Sequence, residues 1–160
     1  MEATTASSTA QYLTFKLDQE LFAVDIAKVR EVLEFTSMTK VPRTPDFMRG
    51  VINLRGNVVP VVDMRLKMGL PSTERTVDTC VIITEVLVDQ DHVVVGALVD
   101  SVQEVLEIDG GSVVPPPHIG TRVNTSVIYG MGKRDDQFVI ILDIDRVFPS
   151  GELKQVVAAA

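Results

Sequence analysis

The sequence predicts an all-β fold, and three observations support this prediction. Valine is abundant, the apolar runs are short, and turn-forming residues recur between these runs along the 160 residues. Many short strands separated by turn signals are typical of a β-sandwich or β-barrel. About five strands fall on each side of a break near residues 69–72, which predicts two small barrels packed side by side. No close internal repeat supports this division, which rests on counting strands.

The first half begins with a strand at residues 12–17, where apolar and polar side chains alternate as in a half-buried strand. Residues 21–25 follow a polar turn and are expected to complete a first hairpin. Apolar side chains at residues 26–33 then have helical spacing, which predicts a single helical turn followed by a strand. Two X-Pro pairs in residues 41–45 exclude regular structure there, because the residue before proline avoids the α region.

The second half repeats this style of short strands. It closes with Asp143, a residue type that favours the N-cap of a helix, so we expect the all-β fold to end in a short C-terminal helix. The strands of this half are expected at residues 79–88, 92–99, 102–108, 127–131 and 137–142.

These patterns also predict the domain organisation. One domain is expected over residues 10–150, with the first barrel at roughly 10–70 and the second at roughly 71–142; interleaving of the two is left open. Residues 1–9, rich in Ala, Thr and Ser, are expected to be a disordered tail. Residues 151–160 are expected to form a C-terminal helix or tail.

Composition excludes several classes of function. The formal net charge of −7 opposes a phosphate backbone, and an aromatic content of 5% with no tryptophan supplies few stacking platforms, so nucleic acid is not an expected partner. No apolar run reaches the roughly 18 residues that a membrane span requires, so no direct membrane insertion is expected. Cys80 is the single cysteine, which fits a reducing cytoplasm and predicts a cytoplasmic protein.

The most informative stretch is residues 51–63, two apolar runs about a tight turn. Gly56-Asn57 favours a two-residue hairpin turn, which would pair Ile52 with Val61. One face of the hairpin is entirely apolar and is expected to face the core. The other is mixed, which suits a binding surface with arginine as an anchor; alternatively, it lies under a neighbouring lobe and its arginine pairs with an internal carboxylate. The core face carries Ile52, Leu54, Val59 and Val61, and the second face carries Val51, Asn53, Arg55, Val58, Pro60 and Val62.

No catalytic or metal-binding pattern is found. His92 and His118 lie far apart and outside any Cys/His/acidic ligand pattern, so no metal site is expected. The candidate paired carboxylates fall at ends of predicted elements, where aspartate caps and turns. Because no nucleophile elbow or phosphate loop is present either, we expect neither catalytic residues nor a cofactor, and therefore no enzyme.

Several motifs in this order resemble the bacterial chemotaxis coupling protein CheW family over about residues 10–150. The signature is N-L-R-G at residues 53–56 followed by V-V-P-V-V-D-M-R at residues 58–65. Three further segments agree: V-R-E-V at residues 29–32, the Pro-x-x-Pro approach at residues 42–45, and V-G-A-L-V-D-S-V at residues 95–102.

The resemblance implies two packed SH3-like five-stranded barrels in a non-enzymatic adaptor. Such an adaptor links the tips of methyl-accepting chemoreceptors to the regulatory domain of the histidine kinase CheA, in cytoplasmic arrays associated with membrane receptors. A related adaptor for a non-motility chemosensory pathway is the alternative, and the free chain is expected to be a monomer. The resemblance implies receptor-binding residues Ile26, Arg55, Val95, Gly96 and Val102, and kinase-binding residues Val29 and Glu31.

Overall fold

The predicted all-β class is confirmed. The computed structural model describes residues 9–35, 37–72, 74–88, 90–115, 127–134 and 137–148, and these contain ten strands and two short α-helices. Of the disordered tail expected at residues 1–9, residues 1–8 lie outside the described residues and Thr9 begins the first strand. The helix or tail expected at residues 151–160 and His118 also lie outside the described residues. The strands are β1 (Thr9–Leu17), β2 (Glu20–Asp25), β3 (Val29–Glu34), β4 (Met48–Leu54), β5 (Asn57–Asp63), β6 (Cys80–Val88), β7 (Asp91–Val99), β8 (Ser101–Asp109), β9 (Ile128–Arg134) and β10 (Gln137–Leu142); the α-helices are α1 (Met64–Lys67) and α2 (Ile144–Val147), and Ile26–Lys28 and Gly110–Ser112 form 3-10 helices.

The strands form two five-stranded sheets. One has the order β3-β6-β7-β5-β4 and is called the middle barrel; the other has the order β8-β1-β2-β10-β9 and is called the terminal barrel. Each closes through a single antiparallel bridge, Thr39 to Val51 in the middle barrel and Val114 to Met131 in the terminal barrel. Strand pairing is antiparallel except between β5 and β7 and between β2 and β10.

The predicted division of the barrels near residue 70 is wrong. The flanking strands β5 and β6 both belong to the middle barrel, which is continuous from β3 to β7, whereas the terminal barrel combines β1 and β2 with β8, β9 and β10. The segment at residues 69–72 is the loop after α1, where Gly69 has a φ of 81°. The chain therefore crosses between barrels twice, from β2 to β3 and from β7 to β8, and the interleaving left open by the sequence is present.

The two barrels have equivalent topologies. Replacing β3, β4, β5, α1, β6 and β7 by β8, β9, β10, α2, β1 and β2 converts one strand order into the other. A short sequence repeat accompanies this equivalence, since β3 contains V-R-E-V-L-E at residues 29–34 and β8 contains V-Q-E-V-L-E at residues 102–107. The sequence does therefore hold an internal repeat, but the surrounding elements are circularly permuted, which conceals it.

The largest hydrophobic core lies between the barrels. It takes side chains from both sheets and both helices, and includes the stacked rings of Phe15 and Phe22, whose centroids are 5.9 Å apart. Smaller clusters fill each barrel, around Val61 and Ile83 in the middle barrel and around Leu21 and Ile141 in the terminal barrel. Because the shared core is the largest, neither barrel can bury its apolar surface without the other.

Two ion pairs hold the crossovers, at topologically equivalent places. Arg65 of α1 binds Asp100 between β7 and β8, with Nε–Oδ1 at 2.8 Å and Nη2–Oδ2 at 2.7 Å, and Asp100 Oδ2 also accepts a hydrogen bond from the Asp18 amide. The hydrogen bond that Arg65 donates to Asp100 raises the pKa of its guanidinium above the usual value. Lys28, beside the other crossover, donates to Asp145 of α2 at 2.9 Å. The two helices thus fix the two crossovers through equivalent ion pairs. The helix supplies the cation in α1 and the anion in α2.

The Arg65→Met variant tests this arrangement. It keeps the apolar stem but removes three hydrogen bonds to a carboxylate that is only 24% exposed, so we expect a loss of about 1–3 kcal/mol in the free energy of unfolding, measured in urea. The control is Arg30→Met, whose partner Glu85 forms a more exposed pair that contributes at most about 1 kcal/mol. Equal losses in the two variants would contradict a special role for Arg65.

Among the described residues, no helix has the length and apolar character needed to cross a membrane.

Candidate functional site

The β4–β5 hairpin turns at Arg55-Gly56, one residue before the predicted position. Both residues have positive φ angles, 51° and 88°, as a type I′ turn requires, and Asn53 Oδ1 accepts a hydrogen bond from the Gly56 amide at 2.8 Å. Ile52 therefore pairs with Val59 instead of Val61. The difference is two residues along the partner strand, so each side chain keeps its predicted face.

The two predicted faces of the hairpin are found. The apolar face fills the middle barrel, where Ile52, Val59 and Val61 are buried. The second face is divided along its length: at its base Val62 is fully buried in the core between the barrels, whereas at its tip the Val58 side chain is 58% exposed. The burial expected under a neighbouring lobe is therefore found at the base of the hairpin, whereas the tip is exposed and its role as a binding surface stays a prediction.

Arg55 and Glu31 form one charged cluster at the hairpin tip. Both terminal nitrogens of Arg55 donate to Glu31 Oε2, at 2.8 and 2.7 Å. The Arg55 side chain remains 67% exposed, and that of Glu31 30%. The carboxylate that the alternative interpretation required is thus present in this chain, but its ion pair with Arg55 lies at the surface. The structure joins two residues that the resemblance divided between receptor and kinase.

A groove of about 740 Å³ adjoins this cluster, and we call it the hairpin groove. It lies between β3, the tip of the β4–β5 hairpin and the start of β7. Near its rim, Glu85 of β6 pairs with the Arg30 guanidinium at 2.9 Å, and its other carboxylate oxygen lies 3.1 Å from His92 Nδ1. The lining combines charge with apolar area, as protein-binding surfaces do; it includes Arg30, Glu31, Leu54, Arg55, Val58 and His92.

Three of the other predicted residues lie at the junction of the barrels. Ile26 belongs to the 3-10 helix of the first crossover, Val29 begins β3, and Val102 follows the second crossover. Each is partly buried and packs against the core between the barrels. Their remaining exposed surface makes this junction a second candidate contact region, separate from the hairpin groove.

Val95 and Gly96 are not surface residues, which corrects their expected role as receptor contacts. Val95 is 0% exposed, and Gly96 is buried between strands β5 and β6. A Cβ added to Gly96 would lie 2.8 Å from Val81 Cγ1 and 3.1 Å from Val61 Cγ2. The glycine is therefore required by core packing, and in this structure neither residue can touch a partner directly.

Sequence reasoning missed a second exposed apolar surface, on the terminal barrel. Val32 and Val58 of the middle barrel are 41% and 58% exposed, and their topological equivalents Val105 and Phe138 are 47% and 52% exposed. The repeated V-x-E-V segment of β3 and β8 was the available signal. Each barrel thus presents an apolar pair at the same place.

Two further groups have perturbed pKa values, and neither forms a reactive site. Burial, with smaller effects of Tyr129 and Asp25, raises the pKa of the Tyr12 hydroxyl. Burial also raises the pKa of the Cys80 thiol, which donates a hydrogen bond to the Asp78 carbonyl at 3.2 Å, so the nucleophilic thiolate is disfavoured. Within the ranges that the structure describes, no cluster of three or more His, Cys, Asp or Glu could hold a metal ion.

These features define a double-barrel module that exposes charged and apolar surfaces of the kind found in protein-interaction domains, on a shared core. The profile of the family described as the CheW-like domain matches residues 11–152. The chain belongs to this CheW family of chemotaxis coupling adaptors, as its motifs indicated. The non-motility alternative is not favoured.

Named relatives agree with this assignment. The chemotaxis protein CheW of Klebsiella aerogenes is 32% identical over 143 residues, covering 89% of this chain and 84% of the relative. That of Rhizobium meliloti is 33% identical over 142 residues, covering 89% of each. The crystal structure of the scaffolding protein TtCheW from Thermoanaerobacter tengcongensis superposes with a TM-score of 0.79 at 36% identity, covering 89% of this chain and 90% of the other. The predicted pair of SH3-like barrels is consistent with this likeness.

Proposed function

We propose that this chain is a non-enzymatic adaptor that holds the regulatory domain of a CheA-type histidine kinase at its hairpin groove and a chemoreceptor tip at the junction of the barrels. The observation that supports it most is the Arg55–Glu31 pair, exposed beside Val58 at the hairpin tip. An exposed ion pair contributes little to folding, so its arrangement is better explained by recognition.

The kinase contact is assigned to the hairpin groove. Because Arg55 holds the Glu31 carboxylate, both residues must meet the same partner, so Arg55 moves from the receptor contact implied by the resemblance to the kinase contact. The exposed Val58 supplies apolar area beside a directional charge, and such a combination is common in binding hot spots. Val29, at the start of β3, connects this surface with the junction.

The receptor contact is assigned to the junction, at Ile26 and Val102. A receptor tip is a helical hairpin, and a helix binds through an apolar stripe laid into a groove between rigid elements. The half-buried side chains at the two crossovers offer such apolar positions. Signalling would follow from shifting the relative placement of kinase and receptor, without chemistry on this chain. We place the adaptor in the cytoplasm, within receptor arrays, as a monomer when free.

The Arg55→Ala variant tests the kinase assignment. We expect its Kd for the CheA regulatory domain to rise at least tenfold in isothermal titration calorimetry, because a charged anchor and the alignment of Glu31 are lost together. Affinity for a receptor tip fragment should change less than twofold. The free energy of unfolding should fall by no more than about 1 kcal/mol, since the pair is exposed.

Arg146→Ala is the matched control, because Arg146 forms an equally exposed pair with Asp143 on the terminal barrel. It should leave both affinities unchanged. Unaltered kinase binding by Arg55→Ala would refute the assignment, and a stability loss of several kcal/mol would show that Arg55 acts in folding.

A further inference from the structure

A second groove, of about 820 Å³, lies on the middle barrel and shares no lining residue with the hairpin groove. Its walls come from the segment between β3 and β4, and we call it the proline groove. The apolar part of its lining includes Phe35, Met38, Met48 and Leu66. Its volume falls in the range of grooves that hold small ligands and short peptide segments.

The polar lining of this groove is mainly cationic. Lys40, Arg43 and Arg49 face a single carboxylate, that of Asp46, although the whole chain has a net charge of −7. Arg49 is anchored by the buried Asp63, with Nη1 3.3 Å from Oδ2. Lys40 and Arg43 are exposed and form no ion pair within the described residues. A local positive potential in an acidic protein favours an anionic ligand.

A further cation extends this potential. The Arg75 guanidinium lies 4.6 Å from the ring centroid of Phe35, a residue of the groove lining. Stacking against the ring fixes the arginine without neutralising its charge. An apolar surface flanked by fixed and exposed cations is therefore present at one place.

The wall of the groove is rigid. Pro42 and Pro45 fix their backbone φ angles, the Thr44 hydroxyl donates to the Val41 carbonyl at 2.9 Å, and the Met48 amide donates to the Pro45 carbonyl at 2.9 Å. A ligand would lose little free energy in ordering such a wall, which is the advantage of a preformed site.

We propose that the proline groove binds an acidic peptide segment of a partner protein, with one apolar side chain on the groove floor and flanking carboxylates on Lys40 and Arg43. A carboxylate forms charge-assisted hydrogen bonds with both cations. A long polyanion fits less well, because the net charge of −7 repels it beyond the few cations at the groove. This binding would be independent of the hairpin groove and of the junction.

The test uses a fluorescein-labelled peptide of sequence Glu-Asp-Leu-Phe-Asp-Glu and its neutral counterpart Gln-Asn-Leu-Phe-Asn-Gln. With the full chain in 50 mM salt, we expect the acidic peptide to bind at least tenfold more tightly in fluorescence anisotropy and to weaken at 300 mM salt. NMR shifts on binding should concentrate in residues 38–49. Equal affinity of the two peptides, or shifts centred elsewhere, would overturn the proposal.

The variant Lys40→Glu/Arg43→Glu should weaken binding of the acidic peptide at least tenfold. The matched control Lys16→Glu/Lys133→Glu changes the net charge equally at exposed sites outside the groove, and it should stay within twofold of the unaltered chain. Similar weakening in both would show a general charge effect and refute the site. Tighter binding of a single-stranded RNA at the same residues would also refute it. The Lys40→Glu/Arg43→Glu variant should retain kinase binding. Failure of the peptide test would therefore leave the proposed kinase contact unaffected, and failure of the Arg55 test would leave the proline groove unaffected.

Discussion

Gly96→Ala is expected to lower the free energy of unfolding by about 2–3 kcal/mol, the range for overpacking of a filled core. The added Cβ would lie 2.8 Å from Val81 Cγ1 and 3.1 Å from Val61 Cγ2, and both valines are 0% exposed. A β-branched side chain with restricted χ1 cannot rotate away at low cost. Urea denaturation followed by circular dichroism measures the change.

Two comparisons sharpen this experiment. Gly111→Ala is the control, because its Cβ would meet only the Asp109 side chain, with the nearest atom, Oδ1, at an ordinary 3.5 Å, and it should change stability by less than about 1 kcal/mol. Adding Val81→Ala to Gly96→Ala should recover stability, with a coupling energy of about 1 kcal/mol or more, if that contact is responsible. Loss of receptor binding by Gly96→Ala at unchanged stability would instead restore the contact role that its burial argues against.

Asp63→Ala is expected to lower the free energy of unfolding by about 3–4 kcal/mol. The Asp63 carboxylate is 0% exposed and caps α1, accepting from the amides of Arg65 at 3.0 Å and Leu66 at 3.4 Å. It also pairs with Arg49 at 3.3 Å. Loss of an N-cap costs about 1 kcal/mol. Removing one partner of a buried ion pair costs about 3–5 kcal/mol, and the lower end applies because Arg49 is 29% exposed.

The equivalent aspartate of the terminal barrel provides the control. Asp143 precedes α2 as Asp63 precedes α1, but it makes no side-chain cap hydrogen bond and is 34% exposed. Asp143→Ala should therefore cost less than about 1 kcal/mol in the same urea titration. Similar losses for the two variants would mean that position in the fold, and not burial with the cap and ion pair, determines the cost.

Local patterns made most strands predictable from the sequence. The faces of the hairpin and the helical turn at residues 26–28 follow from periodicity, which acts over a few residues. The short helix begins after Asp143 as predicted, although Asp143 makes no side-chain cap hydrogen bond. Local patterns could not predict which strands belong to which barrel, because the parallel pairs β2–β10 and β5–β7 join segments that are distant in the sequence. Counting strands along the chain could not reveal that pairing.

In the candidate site, too, local features could be predicted from the sequence and tertiary contacts could not. Arg55 could be singled out because it flanks a hairpin turn, and Glu31 because its segment resembles a known motif. Their ion pair requires β3 to lie near the tip of the β4–β5 hairpin, a tertiary relation. Val95 and Gly96 were expected at a surface because a motif names residues without stating their burial. The proline groove had no sequence signal beyond two prolines and nearby cations.

The interleaved path of the chain has a consequence for synthesis on the ribosome. All strands of the middle barrel have been synthesised once Val99 is added, and they leave the ribosome before β8, β9 and β10, so the middle sheet can form before the terminal barrel is complete. The hairpin of β1 and β2 is made before these strands, yet it lacks its neighbours β8 and β10 until Leu142 has been added, roughly ten seconds later at ordinary elongation rates. During this interval Phe15 and Phe22 lack the completed barrel that buries them. The β1–β2 hairpin is thus synthesised before the middle barrel, but its own barrel is completed only afterwards, and this hairpin is where a chaperone would be needed most.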